Sequence, residues 1–136
     1  MRLRLRRPRQ LARDLLAAAR RDHEEVADYL ETHGEEWEAL AEAAPGDAAD
    51  VLEQLREEDA AGLLAELEPE DVADILEQIA PELAAELLED VPIADLTAAV
   101  SEMTGEAAAD LLYELDDDVT ESVLAMLDDE SEQEIR

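Results

Sequence analysis

A period of twelve residues governs this chain. From residue 47 the sequence divides without a gap into seven units. They read DAADVLEQLREE (47–58), DAAGLLAELEPE (59–70), DVADILEQIAPE (71–82), LAAELLEDVPIA (83–94), DLTAAVSEMTGE (95–106), AAADLLYELDDD (107–118) and VTESVLAMLDDE (119–130). The sixth place holds Leu52, Leu64, Leu76, Leu88, Val100, Leu112 and Leu124. The ninth holds Leu55, Leu67, Ile79, Val91, Met103, Leu115 and Leu127. The fifth is a large aliphatic residue in six of the seven units, and the second and third are often Ala. Spacings of three and four place these residues on one stripe of a short helix. Alternation at period two is absent, so strands are not expected.

The ends of the units carry the punctuation. Pro69 and Pro81 are expected in turns, Pro92 falls one place earlier, and Gly105 marks a fourth break. Asp47, Asp59, Asp71 and Asp95 open their units. An N-cap role is expected for them, with a side-chain oxygen accepting from free helix N–H groups, and their charge suits the helix dipole. Each helix is then about eight or nine residues long, too short to stand alone in water. Serial short helices that share one stripe bury it against each other and form a superhelix. The expected fold class is all-α: an α-solenoid-like superhelix preceded by one or two longer N-terminal helices.

Upstream, Leu11 to His33 reads as one or two helices, and Gly34 breaks the pattern. Glu35 to Ala43 restarts it with Trp37 and Leu40, and Pro45-Gly46 is expected to separate this region from the first repeat. Tyr29 and Trp37 lie eight residues apart, so they can share a face, and a core role is expected for them. The core itself must be thin. Of the 136 residues 25 are Ala, 33 are Leu, Ile or Val, and none is Phe.

The formal net charge is -30, and it is unevenly placed. Residues 1–21 hold eight Arg and one acid, a sum of +7, while residues 22–136 hold 39 acids and two Arg, a sum of -37. The expected division is a basic segment or helix at 1–21 and an acidic helical-repeat domain at 22–136. Arg2, Arg4, Arg6, Arg7 and Arg9 alternate with Leu3 and Leu5 in the head. It can act as an electrostatic foot on an anionic membrane surface, at about 1 kcal/mol per basic residue, or fold back onto the acidic body.

The same residues exclude much chemistry. There is no Cys, hence no disulfide, thiolate metal site or Cys nucleophile. No run of about 18 apolar residues exists to cross a membrane. The acidity repels nucleic acid phosphates, so no nucleic acid partner is expected. His23 and His33 are ten apart, without the HExxH spacing of a zinc site, and are expected at solvated helix ends. The four Gly form no phosphate loop, no Ser sits in G-x-S-x-G, and Asp116-Asp117-Asp118 lacks the spacing of a calcium loop. That triplet reads as a capped turn before a helix at Val119. The chain is not expected to be an enzyme. Two compatible sources of the acid excess remain. A Lys-free acidic surface suits a saline solvent, where about 1 M salt shortens the screening length to about 3 Å. Carboxylates also suit hard cations such as Mg²⁺.

The stretches PGDAADVLEQL (45–55), PEDVADILEQIAPELAAELLEDV (69–91) and TGEAAADLLYELDDD (104–118) resemble the cytosolic N-terminal domain of MgtE-type magnesium channels. The resemblance covers about residues 35–136. It implies a superhelix of short helices that senses Mg²⁺ and docks onto CBS domains through bridging ions, favouring the closed pore. It implies Mg²⁺ as a weakly held cofactor shared with the partner, and the CBS domains and membrane pore of the same or a companion transporter as partners. It also implies a homodimer for the full assembly and a cytoplasmic place on the inner face of the membrane. CBS and pore segments are not among these residues, so an excised or separately encoded sensor domain is expected. The family's interface acids carry over to Asp74, in V-A-D-I-L, and to Glu106 and Asp110, which lie four apart on one helix face. These three are the implied metal ligands. The alternative is a non-catalytic scaffold resembling the helical superhelix of the flagellar switch protein FliG, its acidity an adaptation to salt.

Overall fold

A computed structural model describes residues 8–89 and 91–135, with side chains for residues 10–89 and 91–127. Arg2, Arg4, Arg6 and Arg7 of the basic head lie outside the described residues, as does the side chain of Arg9. The described residues form ten α-helices and no strand. These are α1 (Pro8–Arg21), α2 (His23–Thr32), α3 (Gly34–Ala43), α4 (Pro45–Glu53), α5 (Glu57–Ala65), α6 (Pro69–Leu76), α7 (Pro81–Leu87), α8 (Ile93–Glu102), α9 (Gly105–Glu114) and α10 (Asp117–Ile135). The all-α expectation holds. Leu11 to His33 gives two helices rather than one, broken by Asp22, whose carboxylate accepts from the N–H groups of Glu24 and Glu25.

From α4 onward the helices begin at 45, 57, 69, 81, 93, 105 and 117. The period is therefore kept without slip, but its physical start lies two residues before the start read from the Asp residues. This corrects three expectations. Pro45-Gly46 is not a separator; it opens α4. Pro69 and Pro81 are first helical residues rather than turn residues, where the missing N–H costs nothing and the fixed φ suits the helix. Asp47, Asp59, Asp71 and Asp95 sit inside the first turn and do not cap it. Their charge suits the helix dipole, an advantage that burial and neighbouring acids outweigh at Asp71. The residues just ahead of α5, α6, α7, α8 and α9 are Arg56, Glu68, Ala80, Pro92 and Thr104. All are extended, and Thr104 alone among them supplies a side-chain cap. The helix expected at Val119 likewise starts two residues earlier, and α10 overruns its unit to reach Ile135.

Successive helices alternate between two rows. Helices α4, α6, α8 and α10 stack in one row, each on the next, and α5, α7 and α9 stack in the other. One turn of the superhelix therefore takes two units. Helix α1 packs on α2, α3 and α4, and its Leu11, Ala12, Leu15 and Ala19 join the same hydrophobic cluster as the repeats.

Depth in the core follows the place in the unit. The fifth place (Val51, Leu63, Ile75, Leu87, Ala99, Leu111 and Val123) is at most 2% exposed from the first unit to the last. The sixth place is buried up to Val100, half-buried at Leu112, and 46% exposed at Leu124. The ninth place is buried up to Ile79 and half-buried beyond. Alanines at the second and third places, such as Ala48, Ala60, Ala73 and Ala84, are buried and let the helices approach closely. Trp37 is fully buried, and its indole N–H donates to the Leu63 carbonyl at 2.9 Å, tying α3 to α5. Tyr29 is half-buried and its hydroxyl donates to Glu36, which is itself buried. The shared core role of these aromatics is thus complete for Trp37 and partial for Tyr29. Both histidines sit at helix ends: His23 opens α2 half-buried, and His33 lies exposed between α2 and α3, stacked on Tyr29.

Candidate functional site, an acidic surface on two helices

Helix α6 buries Val72, Ala73, Ile75 and Leu76, which turns Asp74 outward. Three residues to either side along the chain lie Asp71 and Glu77, neighbours of Asp74 on a helix surface. Asp71 is half-buried in the first turn. Burial, then the like charges of Glu42, Asp74, Glu70 and Glu68, hold its carboxyl above the ordinary aspartate range. Glu42 comes from α3, which packs on α6.

Glu106 and Asp110 lie one turn apart on α9, both exposed. This helix starts cleanly because the Thr104 hydroxyl accepts from the Ala107 N–H at 3.3 Å. The Thr104 N–H in turn donates to a carboxylate oxygen of Glu77 at 2.9 Å. That bond joins the end of α6 to the start of α9. The two helices bearing the three expected ligands are therefore tied together, although they stand in different rows.

All three carboxylates face solvent, where they can bind water-clad cations or meet an opposing surface. Among the described residues no three His, Asp or Glu side chains converge closely enough to hold a metal ion. The surface supplies charge and single carboxylates rather than a closed cage. Sequence reasoning missed Glu77 and Asp71. The i, i+3, i+6 spacing of Asp71, Asp74 and Glu77 was the available signal for these two, whereas nothing in the sequence marks Glu42 as a neighbour.

A family model, the MgtE intracellular N domain, matches residues 43–136. The chain belongs to this family. The match takes in all of α4 to α10, and with them Asp74, Glu77, Thr104, Glu106 and Asp110. Helices α1 and α2, and all of α3 but Ala43, precede the matched MgtE stretch. The comparisons with curated proteins and with solved structures gave no match. Among the described residues of this MgtE N domain, no helix is long and apolar enough to cross a membrane.

Proposed function

We propose that this MgtE N domain is the cytosolic Mg²⁺-sensing part of a magnesium transporter. The supporting observation is the exposed carboxylates of α6 and α9, two helices joined by the Glu77–Thr104 bond and lying wholly within the family match. In the proposed mechanism an acidic CBS surface opposes it. At low Mg²⁺ the two repel. At high Mg²⁺, ions held by Asp74, Glu106 and Asp110 on one side and by the partner on the other bridge the gap. Such ions bind only the docked arrangement well, so their occupancy shifts the equilibrium toward docking and toward the closed pore. A full switch from 1:99 to 99:1 needs about 5.5 kcal/mol of preference. Several weak ions can share it, since Mg²⁺ keeps much of its water and takes one or two carboxylates at a time. Most of the remaining acids answer to a saline solvent.

The test is calorimetric docking of this chain onto the CBS domains of its transporter, titrated with Mg²⁺ at fixed ionic strength. Docking should require Mg²⁺ and weaken by at least about tenfold, or about 1.4 kcal/mol, in the Asp74→Ala, Glu106→Ala, Asp110→Ala triple variant. Docking unchanged in that variant would remove these residues from the site. Docking driven equally by Na⁺ would mean that charge screening, not ion bridging, is at work.

A further inference from the structure

The seventh place of the unit is exposed in all seven units. Six units put Glu, Ala or Ser there, as a place facing water requires, and the other puts Tyr113. Tyr113 is 86% exposed; the next large hydrophobic side chain, Leu124, is 46% exposed. The chain's other aromatic residues are turned inward. Trp37 is fully buried, and Tyr29 is half-buried with its hydroxyl on Glu36. The packing of the superhelix therefore gives the ring of Tyr113 no task. Its position on α9 supplies one. At about 100° per residue, Glu106, Asp110 and Tyr113 fall within about 60° of one another around the helix. All three are exposed, as is Ala109 beside them, while Leu111 is buried on the other side. The ring thus stands on the same outward stripe as two of the three proposed ligands, one turn beyond Asp110.

We infer that Tyr113 is an anchor of the docking face, its ring seating in an apolar recess of the surface that opposes α9 in the docked state. This rests on the docking reading above and adds to it a contact that needs no ion. Bridging ions alone select poorly. Mg²⁺ keeps much of its water and takes one or two carboxylates at a time, so two acidic surfaces can be bridged in many registers. A Tyr ring buries a large area at little cost in conformational entropy, and such rings recur as the energetic centres of interfaces. Set among carboxylates, it also discriminates: a surface of the same charge without the recess would leave the ring against polar groups. The ions then supply the switch, and Tyr113 fixes the register and the choice of partner.

Calorimetric docking onto the CBS domains at several Mg²⁺ concentrations and fixed ionic strength tests it. By linkage, the slope of log Kd against the log of Mg²⁺ concentration counts the ions taken up on docking. Tyr113→Ala should raise Kd at least about tenfold at every Mg²⁺ concentration and leave the slope unchanged. Tyr113→Phe keeps the ring and should stay within about threefold of the unaltered chain. Asp110→Ala removes an ion ligand and should lower the slope. Nitration by tetranitromethane gives a second readout: Tyr113 should react in the free chain and be protected in the Mg²⁺-docked complex. Docking unchanged in Tyr113→Ala, or equal nitration of Tyr113 with and without the partner, overturns this inference and leaves ion-bridged docking standing. A slope that falls in Tyr113→Ala as it does in Asp110→Ala would put the residue in the ion site, and overturns it too. No docking at any Mg²⁺ concentration sinks both readings.

Discussion

The backbone N–H of Thr104 donates to the carboxylate of Glu77 across 27 residues of sequence, and so joins the two rows of the superhelix. Replacing Glu77 by Ala removes this acceptor. The site is exposed, so water takes up the freed N–H and the loss is about 0.5–1.5 kcal/mol. Gln should keep part of the bond and lose less. Urea unfolding of the two variants checks both values.

Trp37 offers a sharper loss. Its indole is fully buried and is the partner of the Leu63 carbonyl. Trp37→Phe removes the donor and leaves a small void, at an expected cost of about 2–3 kcal/mol. Chemical denaturation followed by far-ultraviolet circular dichroism reads this directly, because Trp37 is the chain's one Trp and the variant has no indole fluorescence.

Asp71 predicts a pH dependence with a definite sign. Its carboxyl is raised in the folded protein by burial and by like charges. The folded state therefore favours the protonated form. The associated stability is present below the unfolded-state value and is lost as pH rises through the raised one. Asp71→Asn should accordingly raise Tm at neutral pH, with the gain vanishing at acid pH and shrinking in high salt as Glu42, Asp74 and their neighbours are screened. Thermal scans at several pH values and two salt concentrations test it.

Place within the unit predicts the cost of truncation. Ile75→Ala and Leu63→Ala delete fully buried fifth-place side chains and should cost about 2–5 kcal/mol each. Leu124→Ala, at an exposed sixth place, should change stability by about 0.5 kcal/mol or less. Equal losses at Leu124 and Ile75 would contradict the depth gradient.

The period, the helical class and the buried stripe were all legible in the sequence, because each helix spends the same places on its neighbours. The two-residue offset was not. Asp at the head of a unit suits both an N-cap and a first turn, and only the backbone separates them; Pro at the first helical place was the better marker. The half-burial of Leu112 and the exposure of Leu124 were also hidden, since the pattern does not say how closely each helix is covered by its neighbours. At the candidate site Asp74, Glu106 and Asp110 came from the family pattern. Glu77 did not, because its partner lies 27 residues away and is a backbone N–H, which leaves no trace in residue type.

The alternation of rows also limits how such a chain can change length during evolution. Losing one twelve-residue unit would move every later helix to the opposite row and turn its buried stripe toward the wrong neighbours. Losing or gaining two units together preserves the stacking of all that follows. Natural length variants of this superhelix should therefore differ by pairs of units, and recombination between copies of the repeat should conserve an odd–even parity that a single unit does not display.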